Sequence, residues 1–577
     1  MPAASRHSLR ALEFWTQAKN VRISALNNLL ASSGSISTTS LFKQIDGKIA
    51  ALREALSSLR EWRNRLPPVS RLPPELLVSI FSLLAADEAP TVRYRISLGW
   101  IVVSHVCSHW RRVALDSPVL WANINFDLSS WWIQTMLDRA KQGPLVIRAI
   151  RIRYAEDAES VLGVLSSHMS QRRELGLRQP LGGVDTINPV VKFLTSPAPS
   201  LEWVKFVVET KKNVHIPNNM FGDYALSLRV VTLVGCTIPW ISPIMRNLSH
   251  LTIALTQWQY QQVEENYLPS KDDFFDMLAN MHHLETLDIE EYFPRYTPDT
   301  GVYSRMRQPG IELLDLSSLI LRGSWAPCIA VLGSIQIPET SMVHFTCRNH
   351  TREGFVDLLL PMLEKHSGKT GKALPLRTLS ISVGSLGGSV VVIGRNFSDQ
   401  KDHFRCKPSI LLDLDHLDPN SLSLVANALY IRKLEALWIS LRTQDPELYI
   451  PIIQVLEKAE NWDQVSFHDD ALPLFCAMLA STSNSAGDEA RMHIDKCFFP
   501  NLRSLVLGHE TEQPFCGGSL IYQDQLVAAL QKRNDLKAHL EELELQLPRN
   551  EASKKWVEQL EQLEGIVSVK VFWNGER

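Results

Sequence analysis

One six-residue arrangement of apolar and polar positions, L-x-x-[LV]-x-[LIF], returns along most of the chain. It reads LEWVKF (201–206), LRVVTL (228–233), LSHLTI (248–253), LETLDI (284–289), LSSLIL (316–321), LRTLSI (376–381), LEALWI (434–439), LRSLVL (502–507) and LEELEL (540–545). Weaker forms are MVHFTC (342–347) and WDQVSF (462–467). In a strand, residues two apart share a face, so the fourth and sixth positions enter one core and the third, fifth and seventh face away from it. The first apolar residue leads the chain into the strand. Parallel stacking of such strands, with helical returns between them, would bury a continuous apolar column. Successive starts lie 20 to 58 residues apart, so the array is irregular. Between 384 and 410 a Gly-rich turn, a β-branched run and a polar loop predict a hairpin-like insertion. The polar stretch STSNSAGDEA (481–490) predicts a surface loop.

The period changes nearer the start of the chain. Residues 8–31 carry apolar positions at helical spacing, and the Ser/Thr/Gly-rich stretch at 32–40 breaks them. Ile45, Ile49, Leu52, Leu56, Leu59 and, after a looser step, Leu66 then alternate at four and three residues, flanked by Lys48, Arg53, Glu54, Arg60 and Glu61. This fits a short coiled coil over 41–66 that self-associates, or equally a helix laying its stripe on its own chain. Pro67-Pro68 ends it. A second pair, Pro73-Pro74, opens a new helix with Leu76, Leu77, Ile80, Phe81 and Leu84 at helical spacing. After a polar interruption, a further apolar helix is predicted through Trp100, Val103, Val106, Cys107, Trp110 and Val113, then a turn at Asp116-Ser117-Pro118. So small a helical unit buries little surface by itself and leans on a neighbour or a partner.

Composition adds limits. Of 577 residues 45% are hydrophobic, which supports a large core, and 59 Lys+Arg against 62 Asp+Glu give a net charge of −3. Such a balance supplies no general attraction to nucleic acid or anionic lipid, so neither is expected as a partner. Apolar runs fall far short of a bilayer span and the first residues lack a secretory apolar stretch, so a cytoplasmic or nuclear protein is expected. The eight cysteines form no C-x-x-C pair, and no metal is expected. Phosphate-loop, dinucleotide, zincin and hydrolase-elbow motifs are absent, so neither an enzyme nor a cofactor is expected. GSLGGS (384–389) reads as a hairpin turn, His282-His283 as exposed repeat-edge residues and Cys107 as core.

The stretch LPPELLVSIFSLL…LGWIVVSHVCSHWRRVALDSPVLW (72–121) resembles an F-box, the helical module that docks on the adaptor Skp1. The version with a leading heptad helix and a Trp-Arg-Arg turn resembles F-box proteins common in mushroom-forming (basidiomycete) fungi; the long 85–98 insertion departs from the pattern. The repeats resemble leucine-rich repeats, although only the copy at 228 continues to the expected Cys236 and Ile238. These resemblances imply an α+β or α/β chain: a helical region over 1–66, an F-box over 70–125 and an irregular leucine-rich-repeat-like α/β solenoid over 126–577. They imply a substrate receptor of a Skp1–cullin–F-box ubiquitin ligase, with adaptor contacts expected among Leu72, Pro73, Leu76, Leu77, Ile80, Phe81, Val106, Trp110 and Leu120. The alternative is an interaction scaffold outside any ligase. Asp288, Glu290, Trp438, Glu542 and Glu544, at outward repeat positions, are the candidates for binding a protein target, the acidic ones suggesting a basic peptide.

Overall fold

In the computed structural model the described residues are 3–32, 38–91, 97–151, 159, 161–164, 167–180, 194–209, 214–237, 240, 242–255, 259, 268–294, 310–348, 354–370, 372–384, 389–396, 408–415, 417–441, 452, 463–469, 475, 501–508, 519–535, 540–547, 553–554, 557–558, 560 and 567–573. The polar stretch at 481–490 and Ile238 lie outside them. The chain divides into two compact units, Met1–Trp121 and Ala122–Arg577.

The first unit is helical. Two long helices, α1 (Ala3–Ser32) and α2 (Thr38–Asn64), precede α3 (Pro74–Asp87), α4 (Ser108–Asp116) and the single turn α5 (Pro118–Trp121). The apolar helix expected through Trp100–Val113 is in fact two pieces, a 3-10 stretch at Gly99–His105 and then α4. Cys107 separates them with extended backbone (φ −157°, ψ 169°), and its Sγ accepts the Trp110 N–H at 3.4 Å. Cys107 is therefore a half-buried helix cap and not the core residue its apolar setting predicts. Gly99 starts the 3-10 stretch at φ +52°, where a Cβ would lie 2.3 Å from the Glu88 carbonyl oxygen. Only glycine fits that approach, which lets the Trp100 N–H reach the same oxygen at 2.8 Å.

The second unit opens with α6 (Ser130–Ala140) and is then dominated by strands: β1 (Leu145–Arg151), β2 (Arg172–Gln179), β3 (Trp203–Val208), β4 (Val214–His215), β5 (Val230–Val234), β6 (Cys236–Thr237), β7 (His250–Ala254), β8 (Thr286–Glu290), β9 (Ile311–Glu312) and β10 (Ser318–Ser324). There follow β11 (Ile335–Gln336), β12 (Met342–Arg348), β13 (Thr378–Val383), β14 (Ser389–Arg395), β15 (Ile410–Asp415), β16 (Ala436–Leu441), β17 (Gln464–Asp469), β18 (Ser504–Gly508), β19 (Glu542–Leu547) and β20 (Ser568–Trp573). Sixteen of them form one mixed sheet in the order β1-β2-β3-β5-β7-β8-β10-β12-β15-β14-β13-β16-β17-β18-β19-β20. Helices at Lys271–Ala279, Leu360–His366, Pro419–Ala428 and Ser519–Asp535 lie in the connections between strands.

Register explains the repeating six residues. The fourth positions run side by side from Leu175 through Val204, Val231, Leu251, Leu287, Leu319 and Val343, and again through Leu379, Leu437, Val465, Leu505 and Leu543. The sixth positions make a second row including Phe206, Leu233, Ile253, Ile289, Leu321, Phe345, Ile439, Phe467, Leu507 and Leu545. Both rows are buried, as are the leading leucines Leu201, Leu228, Leu248, Leu284, Leu316, Leu376, Leu434, Leu502 and Leu540. One expected frame is wrong: in MVHFTC the row positions are Val343 and Phe345, two residues earlier than the motif reading, which places Thr340 where leucine usually leads.

The hairpin expected near 384–410 is present, with the preceding repeat strand as one arm. β14 pairs antiparallel with β13 on one side and β15 on the other, and the Gly384 N–H donates to the Ser389 carbonyl at 3.0 Å where the chain turns. This zigzag explains the sheet order, since β15 returns to lie beside β12 while β13 receives β16.

Candidate protein-binding surfaces

The helix α3 begins where Pro73, extended at φ −55° and ψ 148°, hands over to Pro74 in the first turn with Glu75 beside it. Its residues then sort by helical spacing. Leu77, Phe81 and Ala85 are buried, whereas Leu76 (51% exposed), Ile80 (41%), Leu83 (74%) and Leu84 (36%) form the adjoining, outward stripe. The buried side is fixed by aromatic packing: the Phe81 ring lies 5.1 Å from that of Trp110, and Trp100 meets Trp121 at 4.9 Å. The Trp121 Nε1–H donates to the Ala114 carbonyl at 2.7 Å, satisfying the polar end of a wholly buried ring.

This geometry divides the expected adaptor set into inward and outward side chains. Leu77 and Phe81 are enclosed in the unit's own core, because residues one position beyond Leu76 and Ile80 rotate about 100° around a helix of 3.6 residues per turn, and Leu120 of α5 is enclosed there too. Leu76, Ile80 and Val106 are exposed, Pro73 is exposed, and Leu72 and Trp110 are half-buried. Exposed Leu83, Val102 and Val119 were not singled out by the sequence; Leu83, seven residues after Leu76, carried the signal. A surface helix with this much uncovered aliphatic area calls for a partner.

Residues 69–127 match the F-box-like family. The match encloses α3, α4 and the exposed leucine–isoleucine stripe of the F-box. No curated protein matches the chain.

Beyond the F-box, the face of the sheet opposite the two apolar rows is mixed and mostly half-buried, with Thr232, Asp288, Glu290 and Arg322 beside Val230, Ile320, Ile393 and Leu411. Arg322 on β10 bridges Asp288 and Glu290 of β8 at 2.9 Å each, and Lys570 pairs with Glu542 across β19 and β20. The Glu544 carboxylate accepts the Gln546 Nε2–H at 2.8 Å. Three of the four acidic candidates are thus paired to cations within the sheet, which weakens the reading of them as a recognition site for a basic peptide. Eight strands lie between those carrying Asp288/Glu290 and Glu542/Glu544 in sheet order, so the structure does not bring the two groups together. Trp438 is half-buried on β16, in register with Ser380 of β13 and Ser466 of β17.

Two further groups on this face are held away from their ordinary pKa. Burial, with a smaller contribution from Arg322, holds His344 below the usual imidazole range, and its Nε2 lies 3.1 Å from the Thr346 hydroxyl. Burial and the neighbouring Asp415 raise the Asp413 carboxyl. His283 Nδ1 lies 3.3 Å from an Asp315 carboxylate oxygen at the exposed edge. Among the described residues no group of three His, Cys, Asp or Glu could hold a metal ion, and no helix is long and apolar enough to cross a membrane.

Proposed function

We propose that the chain is the substrate-recognition subunit of a Skp1–cullin–F-box ubiquitin ligase. The outward stripe Leu76, Ile80, Leu83 and Leu84 of the F-box carries this reading, because an uncovered aliphatic helix face inside an F-box match is suited to docking an adaptor. In this reading the second unit is an irregular leucine-rich-repeat-like solenoid whose outward face, including Trp438, holds a protein target. The protein does no chemistry itself. By holding adaptor and target together it raises the effective concentration of target lysines near the ubiquitin-charged enzyme.

The test is co-purification of the full chain with a Skp1-type adaptor, beside a Leu76→Asp/Ile80→Asp variant. Two charges in a contact that excludes water are costly unless paired. Both side chains are exposed in the free chain, so the variant should fold normally and lose capture by about a hundredfold or more. Capture retained by the variant would rule out this face, and absence of capture by the wild type would rule out the ligase reading in favour of a scaffold outside a ligase.

A further inference from the structure

The helix α2 carries a seam that the described chain leaves open, and its charges say what should cover it. Phe42, Ile45, Ile49, Leu52, Leu56, Leu59 and Arg63 alternate at spacings of three and four; relative to the stripe read from the sequence, Phe42 is added at the start and Arg63 takes the last place, since Leu66 lies beyond the end of α2 at Asn64. Phe42 (67%), Ile49 (39%), Leu52 (58%), Leu56 (51%) and Leu59 (55%) are all exposed. The preceding helix α1 does not cover them and has exposed apolar side chains of its own, Leu12, Phe14 and Val21 among them. With 27 residues, α2 is about 40 Å long, enough for more than three heptads.

We propose that α2 pairs with α2 of a second copy of this chain, and that the pairing is antiparallel. In heptad terms Phe42, Ile49, Leu56 and Arg63 fall at a, and Ile45, Leu52 and Leu59 at d. A parallel pair sets each a residue on its own counterpart, so two Arg63 guanidinium groups would meet in the seam. It would also place Lys48 at g opposite Arg53 at e of the other helix, twice. Reversing one helix sets a against d: Ile49 packs on Leu59 of the second copy, Leu52 on Leu56, and Arg63 lies beside Ile45, where its aliphatic stem can pack. The e positions then face each other, and Asp46 comes opposite Arg60 of the second copy on both sides of the twofold axis. Lys48 comes opposite the exposed ring of Trp62, a favourable cation–aromatic pairing. The one like-charge meeting is Arg53 with its own counterpart near the axis. Charge complementarity therefore selects the antiparallel arrangement, with two F-boxes leaving from opposite ends of the paired helices.

Sedimentation equilibrium of the full chain tests this directly. The wild type should run at twice the 65.2 kDa chain mass at micromolar concentration, and Leu52→Asp/Leu56→Asp should run as a monomer with unchanged helical circular dichroism. Asp46→Arg and Arg60→Asp should each weaken association by about tenfold, and the double swap should restore it. In a parallel pair the two positions do not meet and the swap would not restore. A monomeric wild type overturns the proposal, as does a dimer that survives Leu52→Asp/Leu56→Asp. So does dissociation by Leu12→Asp/Val21→Asp alone, which would move the interface to α1. Failure of the double swap to restore overturns the antiparallel geometry. None of these outcomes depends on whether the F-box binds an adaptor.

Discussion

In β2 the residue that leads the chain into the strand is Arg172, where the strong repeats have leucine, and it is fully buried. Burial alone pushes its guanidinium down to about 9, which measures how poorly this place suits a charge. Leu175 and Leu177 follow at the row positions as in every other repeat, so the backbone is that of a repeat and only the side chain is unusual. Replacing a buried ionic side chain by a hydrophobic one of comparable fit is often stabilising. Arg172→Leu should therefore stabilise the protein by about 1–3 kcal/mol. Equilibrium urea unfolding would show it as a higher midpoint at unchanged slope; a fall in the midpoint would mean that the interactions of the Arg172 side chain are worth more than its desolvation. The same substitution explains why β2 escaped the motif: the sequence pattern identifies a repeat by the residue that arginine replaces here.

Strands were legible wherever three apolar positions at fixed offsets coincide, because leading residue and both row residues must all be apolar to bury together. β3, β5, β7, β8, β10, β13, β16, β17, β18 and β19 all fall on such forms. β15 keeps only its row residues, Ile410 with Leu412, because Lys407 stands at the leading position, and two apolar residues two apart are too common to signal anything. β20 has the three offsets in IVSVKV (566–571) but leads with Ile566, which a pattern that demands leucine passes over. The F-box helix α3 was legible as an element, but its two faces were not separated, since Leu76-Leu77 and Ile80-Phe81 are adjacent apolar pairs and spacing alone does not say which member turns inward. The antiparallel strand β14 shows a finer device. Its Gly394 lies in the inner row between Leu379 and Ile410, and a Cβ there would meet the Leu376 side chain at 2.8 Å. The leading leucine of β13 thus fills the space that a fourth-position side chain occupies elsewhere. Gly394→Val should destabilise by about 1–3 kcal/mol through overpacking. Leu376→Ala should cost about 2–5 kcal/mol through a cavity. The double variant should cost clearly less than the sum, because each change relieves the other's defect. Strict additivity in a thermal-unfolding cycle would show that the two side chains do not share that space.

At the scale of the molecule, two binding tasks are proposed for two units that each carry a core. Leu77, Phe81, Trp100, Leu120 and Trp121 make the core of the first, and the paired apolar rows with their leading leucines make that of the second. Units with separate cores unfold in separate transitions unless their folding is coupled. Phe81 is wholly buried against Trp110, so Phe81→Ala should remove about 3–5 kcal/mol from the first unit. A helical unit this small has little stability to lose, and that change should bring its unfolding below ordinary working temperatures. The calorimetric trace of Phe81→Ala should therefore lose or shift an early transition while the main one, from the sheet, stays in place. On the proposed function adaptor capture should fall with it although Phe81 is buried beneath the outward stripe, which separates support of that face from contact through it. Leu76→Asp/Ile80→Asp should show the reverse signature, with capture lost and both transitions unmoved. If Phe81→Ala instead shifts the whole trace together, the two units fold as one and a bound adaptor would stabilise the target-binding sheet as well, so that assembly into the ligase and readiness to hold a target would be linked through folding itself.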